Sequence, residues 1–272
     1  MDWVSFHGRG LHTGARCTLE LMRAAGPIRF ETPAGGVTRE ALRVLRADRG
    51  VRVGAHGFEL ELVEHLFAAF AGMGVQSGVR VRVNGPEVPL ADGAALEFAV
   101  ALAALDPPRS PPRLHVVRAG RVALGNSVYE FTPADAVSVS VSVEFPGRGA
   151  EDAHWDGTPA RFLSDVAPAR TFGFRHEYDA LQAAGRAAHV DLHSVLVLEA
   201  DGSALSPGPA PVPDELARHK LLDLLGDFYL FGGPVKGGVH AIRPGHAATH
   251  HVVREALAQR ILVQIEAQEM DP

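Results

Sequence analysis

The segment Arg218-His219-Lys220-Leu221-Leu222-Asp223-Leu224-Leu225-Gly226-Asp227 places an imidazole and a carboxylate four residues apart among leucines at helical spacing. Positions i and i+4 share one face of a helix, a turn apart, so His219 and Asp223 can grip one cation from a single rigid element. A carboxylate with imidazole and no thiolate suits a catalytic zinc, or a similar first-row ion, rather than a structural zinc. A third ligand has to come from elsewhere, and Glu64-His65 within the run 62–70 is the candidate. Each feature has a plainer reading. Glu64-His65 can be a surface pair or a satisfied core histidine, and His219 with Asp223 can be a helix-stabilising contact. Asp227 can orient a histidine or merely be solvated. Gly245-His246 is a turn signal as well as a spare histidine. Together they hold the parts of a metal hydrolase: three ligands, a free carboxylate and a further histidine.

The elements that must position these groups are legible in outline. Period-2 alternation predicts strands over 17–22, 79–83, 114–117, 128–131, 137–145 and 194–198. Helical spacing predicts helices over 60–71, 94–105, 178–184, 214–228 and 250–262. The Pro-rich run 106–113 can hold neither a helix nor a central strand. It divides the chain into an N-terminal part, 1–106, a linker, 107–113, and a C-terminal part, 114–272. The loop 206–213 precedes Asp214, a cap or first-turn acid for the helix that carries His219. The two parts echo each other: the helix at 60–71 is followed by Gly78-Val79 and Gly85, the helix at 214–228 by Gly238-Val239 and Gly245. A coincidence of common residues would give the same pattern. A true duplication would put a site at the junction, with His65 meeting His219 and Asp223.

Composition narrows the function classes. The chain has 272 residues, 46% of them hydrophobic, enough for a sizeable core. A formal net charge of −6 argues against general nucleic-acid binding. The single cysteine, Cys17, forms no internal disulfide and supports no thiolate metal site, so it is expected to be a small core residue in a reducing, cytoplasmic setting. The first residues lack the basic and apolar regions of a signal peptide. No apolar run approaches the ~20 residues that span a bilayer, so a membrane-borne substrate would be reached from the surface and no stable insertion is expected.

Six motifs in order carry a resemblance to a known family: Gly8-Arg9-Gly10-Leu11-His12-Thr13-Gly14; Val63-Glu64-His65-Leu66-Phe67; Asn84-Gly85-Pro86-Glu87 through Asp92-Gly93; Ala169-Arg170-Thr171-Phe172-Gly173-Phe174; the segment from Arg218 to Asp227; and Gly245-His246-Ala247. End to end, the chain resembles the UDP-3-O-acyl-N-acetylglucosamine deacetylases (LpxC), zinc enzymes of the committed step of lipid A synthesis. The resemblance implies an α+β fold of two β-α-α-β sandwich domains with the active site between them. It implies His65, His219 and Asp223 as zinc ligands, with zinc or ferrous iron as the cellular metal. Three protein ligands leave a fourth position open, as a catalytic site requires. Glu64 is implied as general base, about 100° around the helix from its neighbour. His246 is implied as general acid, held charged by Asp227, and Thr171 as support for the oxyanion. Phe172 and Lys220 are implied as substrate contacts. The partner is a UDP-sugar lipid, with the protein acting as a monomer.

The sequence departs from the family pattern in two places. The second-part insert, roughly 174–198, carries Ala187-Ala188-His189-Val190-Asp191-Leu192-His193-Ser194 where the family has a Gly-rich turn. That leaves the catalytic set intact and opens an alternative, a paralogous deacetylase acting on another N-acyl amino sugar. The His189 and His193 spacing also fits a plain surface loop. In the first part, Arg39, Arg43, Arg46, Arg49 and Arg52 could contact a diphosphate or an anionic membrane, or form a solvated basic face.

Overall fold

The computed structural model describes residues 2–33, 35–183, 192–205 and 209–265. Its architecture is α+β and duplicated. In the first half, β1 (Trp3–Arg9), β2 (Arg16–Pro27), β3 (Arg29–Thr32) and β4 (Gly35–Thr38) precede a small sheet of β5 (Arg43–Ala47), β6 (Val51–Ala55) and β7 (Phe58–Glu61). Helix α1 (Glu64–Gly72), strand β8 (Ser77–Asn84) and helix α2 (Leu96–Leu105) complete it. The second half begins at β9 (Leu114–Val116) and runs through β10 (Gly120–Leu124), β11 (Ser127–Thr132), β12 (Val137–Phe145) and β13 (Gly149–Trp155). A short turn, α3 (Pro159–Arg161), leads to β14 (Phe172–Phe174), α4 (Arg175–Ala183) and β15 (Leu196–Leu198). Then come α5 (Glu215–Tyr229), β16 (Val235–Ile242), α6 (His246–Ala258) and β17 (Leu262–Gln264).

The two main sheets have one topology. The first is ordered β1-β2-β8-β3-β4; the second has the corresponding path β10-β11-β16-β12-β13, with β9 added on β16 and β17 on β9. In each, the strand that follows the long central helix (β8 or β16) sits in the middle, antiparallel to one neighbour and parallel to the other. The Gly-Val echo in the sequence is therefore a real duplication. Each copy carries one insertion at the same point, before its central helix: β5–β7 in the first, β14-α4-β15 in the second.

Alternation on the strands explains the sheets. In β8, Val79, Val81 and Val83 are buried while Arg80, Arg82 and Asn84 face water, the pattern of a sheet covered on one side. Helix α1 has no polar face. All nine of its residues are buried, because it is sandwiched between the first sheet and α5. The main apolar core runs through both halves, and a smaller cluster of Leu62, Leu90, Val195 and Val197 stands apart from it.

Some boundaries differ from the sequence reading. The helix expected over 60–71 begins only at Glu64, because Leu60 and Glu61 lie in β7 and Leu62 adopts a left-handed backbone (φ 59°) that breaks the run. The helix expected over 250–262 instead spans His246–Ala258, and Leu262 belongs to β17, paired antiparallel with β9. The predicted positions at 184, 187–191 (with His189) and 206–208 lie outside the described residues. Among the described residues, no helix is long and apolar enough to cross a membrane.

Candidate metal and active site

Three helices deliver the polar side chains. Helix α5 presents His219, Asp223 and Asp227 on successive turns, the first turn of α1 presents Glu64 and His65, and α6 begins with His246. The close packing of α1 on α5 depends on Gly226. A Cβ there would fall 2.2 Å from the backbone oxygen of Glu64, so only glycine lets the helices approach this closely.

His65, His219 and Asp223 are all buried, and each offers one donor atom within 4.8 Å of the other two. Both Nε2 atoms face the same carboxylate oxygen, His219 at 3.4 Å and His65 at 3.9 Å from Asp223 Oδ1. The His219 Nδ1–H donates to the Ala169 carbonyl at 3.0 Å, which fixes the tautomer and leaves Nε2 as the free lone pair. Burial and the neighbouring His219 push the His65 pKa down to about 3, and burial lowers that of His219 as well, so both imidazoles are neutral. Asp223 is buried, which would raise its pKa, but Lys220 and the charged His246 hold it well below the carboxylate range. Two neutral imidazoles and an ionised carboxylate are the protonation states a divalent cation needs, and the donor set fits one.

Beside this cluster sit a buried carboxyl and a charged imidazole. Burial raises the Glu64 pKa to about 7, against the opposing charge of His246, and its Oε2 accepts the Val51 N–H at 2.9 Å. His246 Nε2 lies 4.0 Å from Glu64 Oε1 and 4.0 Å from Asp223 Oδ2. Its other nitrogen, Nδ1–H, donates to Asp227 at 3.0 Å. Burial opposes the charge on His246, but Asp227 and Asp223 outweigh it and raise the pKa to about 10. Asp227 itself is buried, which would raise its pKa, yet the charged His246 hydrogen-bonded to it keeps it low. His250, with Nε2 3.1 Å from Asp227 Oδ1, is a member of this group that the sequence reading did not single out. Its one sequence signal is its place one helical turn after His246.

A cavity of about 460 Å³ opens over these groups. The first-half insertion and nearby loops contribute Leu11, His12, Arg49 and Leu62, and the second-half insertion contributes Phe172, Phe174, Val195 and Val197. The two insertions thus both line the cavity, and Arg49 of the first pairs with Glu177 of the second at 3.3 Å. Thr171 and Lys220 also reach the cavity. Lys220 Nζ donates to Asp223 Oδ2 at 2.8 Å and lies 5.2 Å from the Phe172 ring centre. Glu87, fully buried, accepts from the backbone N–H groups of His12 (3.0 Å) and Thr13 (2.6 Å), pinning the first motif beside the cleft. All nine residues singled out by the sequence therefore converge on this cavity or, for Asp227, on the residue behind it.

The family of UDP-3-O-acyl N-acetylglycosamine deacetylases, LpxC, matches residues 2–258. The chain belongs to this family. A UDP-3-O-acyl-N-acetylglucosamine deacetylase of Myxococcus xanthus is 36% identical over 273 residues, covering 94% of this chain and 84% of its own. That of Anaeromyxobacter dehalogenans is 36% identical over 265 residues, with 94% and 85% covered. The Phenylobacterium zucineum enzyme is 34% identical over 270 residues, with 94% and 90% covered. In this LpxC chain the segments most rich in family motifs are those that reach the cavity or brace it.

Proposed function

We propose that this chain removes the acetyl group from a UDP-3-O-acyl-N-acetylglucosamine, giving the free amine and acetate, in lipid A biosynthesis. The observation that carries the reading is the pairing of Glu64 and His246, 4.0 Å apart beside the His65, His219 and Asp223 cluster, with the Glu64 pKa raised to about 7 and that of His246 to about 10, so that one suits a base and the other an acid. His65, His219 and Asp223 would hold the metal, zinc by its donor preferences with ferrous iron as the cellular alternative; when bound it supplies Lewis acidity to a carbonyl and acidity to water.

Glu64 takes the proton from the attacking water as the C–O bond forms. Its burial raises its affinity for that proton, while the Val51 N–H keeps the carboxylate aimed. His246, held charged and oriented by Asp227, steadies the oxyanion and then gives its proton to the nitrogen as the C–N bond breaks. Thr171, on the cavity wall, donates its hydroxyl to the same oxyanion. Phe172 gives an apolar contact and Lys220 a polar one. The aromatic and aliphatic wall of Phe172, Phe174, Val195 and Val197 suits a fatty acyl chain.

The division at 107–113 into units of 1–106 and 114–272 fits the duplicated topology. Each unit then supplies part of the site: Glu64 and His65 from one, Thr171, His219, Asp223 and His246 from the other. Since one chain carries the whole set, a monomer suffices, and a cytoplasmic enzyme would reach its lipid substrate from the membrane surface. The test is mass spectrometry of UDP-3-O-(3-hydroxyacyl)-N-acetylglucosamine after incubation with the zinc-loaded protein. Loss of acetyl that a chelator abolishes is the expected result. Equal turnover of a substrate without the 3-O-acyl chain would instead favour another N-acyl amino sugar, and an intact substrate would overturn the proposal.

A further inference from the structure

A second cavity, of about 300 Å³, lies past the C-terminal end of α5 and shares no lining residue with the first. Among the described residues, four guanidinium groups line it, those of Arg39, Arg43, Arg113 and Arg254, against the one carboxylate of Glu40. They come from distant parts of the chain: the turn after β4, the start of β5, the segment before β9, and α6.

Among the described residues, the balance of contacts leaves positive charge uncompensated. Arg39 is only 4% exposed. Its Nη1 donates to the Tyr229 carbonyl at 3.0 Å, its Nη2 to Glu40 at 2.9 Å, and the group lies 5.1 Å from the Tyr229 ring centre. Its Nε is buried and has no hydrogen-bond partner among the described residues. Arg113 reaches the same Glu40 oxygen at 3.6 Å, so one carboxylate serves two guanidinium groups. Among the described residues, Arg43 donates only to the carbonyls of Glu40 and Leu42, each at 2.8 Å. Arg254 lies 6.0 Å from the Phe231 ring centre, and no carboxylate of the described residues pairs with either Arg43 or Arg254.

Arginine keeps its charge at any physiological pH. Like charges gathered around a concavity are costly unless an anion joins them. Arg46 and Arg52, by contrast, are matched one turn of sheet away, with Glu61 and Glu59. Several planar forks converging on one space match the oxygens of a phosphate group better than a single carboxylate. The cohesion of Arg39 with Tyr229 preorganises the inner end, while Arg43 and Arg254 remain exposed at the mouth.

We infer that this cavity is a second, non-catalytic site that binds a phosphate-bearing anion, either a soluble phosphate compound or the phosphate headgroup of a lipid. The inference stands apart from the deacetylase reading, since no residue is shared.

Isothermal titration of the full chain with inorganic pyrophosphate at low ionic strength tests the soluble source. Co-sedimentation with phosphatidylglycerol vesicles tests the lipid source. In either arm, binding is expected to weaken at least about tenfold in R43A/R254A and to persist in R49A, whose side chain belongs to the first cavity. Deacetylase turnover without added anion is expected to be unchanged in R43A/R254A. If that variant folds poorly, R43K/R254K keeps the charge while removing the forked geometry, and weaker binding of pyrophosphate or vesicles is again expected. Binding that R49A abolishes and R43A/R254A leaves intact would place the anion in the catalytic cleft and overturn the inference. So would the absence of binding in both arms.

Discussion

At the scale of single residues, the chemistry of the site comes from how burial and charge are shared between Glu64 and His246. Burial alone disfavours ionisation of both. The charge of His246, 4.0 Å away, only partly offsets the burial of Glu64, which sits near neutrality, whereas His246 rests on Asp227 and stays charged. A rate that requires Glu64 ionised and His246 protonated rises with pH through the first ionisation and falls through the second. A cation held beside them favours the deprotonated forms and moves both limbs to lower pH. The pH profile of kcat/KM is therefore expected to be bell-shaped, and a profile without a falling limb would remove His246 as the acid. Asp227→Asn takes away the largest influence raising the His246 pKa. The falling limb should then shift to lower pH and turnover near neutrality should drop, as stopped assays across a pH series would show. Glu64→Gln is expected to lower kcat by roughly 10²–10⁴-fold while metal content, measured by elemental analysis, stays at one per chain. Loss of metal in that variant would make Glu64 a ligand instead.

At the scale of elements, the crossing of α1 and α5 sets the site, because it brings His65 to His219 and Asp223. Gly226→Ala would drive a methyl group to 2.2 Å from the Glu64 backbone oxygen, which a rigid helix cannot yield cheaply. Overpacking of this kind costs roughly 1–3 kcal/mol, or a fall of several degrees in Tm. An unchanged melting curve would show that the helices do not approach this closely. The N-terminal end of α5 is anchored by another buried carboxylate. Arg170 Nε donates to Glu215 Oε1 at 2.9 Å, and its Nη2 donates to Oε2 at 3.1 Å. Burial would raise the Glu215 pKa, but the hydrogen bonds and charge of Arg170 bring it below the ordinary 4.5. A depressed carboxylate contributes stability that is fully present above its unfolded pKa and is lost as pH falls through the folded one. The stability gap between the wild type and Glu215→Gln, followed by urea unfolding, should be constant near neutrality and close as pH drops below about 4.5. A gap that widens in acid would contradict the assignment.

At the scale of the whole molecule, a cation at His65, His219 and Asp223 joins the two halves, so its binding should report as global stability. A ligand that binds only the folded state at about 100 times its Kd adds about 2.7 kcal/mol. Zinc is expected to raise Tm, a chelator to reverse the rise, and His65→Ala to abolish most of it in calorimetry. A rise that survives His65→Ala would place the stabilising ion elsewhere.

The ligand pair on α5 was legible because i and i+4 on a helix are neighbours whatever the surroundings. The duplication was legible in the repeated Gly-Val strands because each central strand must be flat, apolar on one face and bounded by turns. Local spacing therefore determined the individual elements and which side chains within each could act together. The start of α1 was hidden, because the left-handed turn at Leu62 that separates it from β7 is imposed by packing and not by residue preference. The start of α6 was hidden as well, because its first turn, His246-Ala247-Ala248-Thr249, carries little apolar periodicity and is placed by the site it serves. Only the tertiary structure decided that Asp227 lies between two histidines, that the two insertions line one cleft, and that arginines from positions 39 to 254 gather around a second. Those pairings join residues far apart in sequence, and their energies come from burial and charge in a shared space that no local pattern encodes.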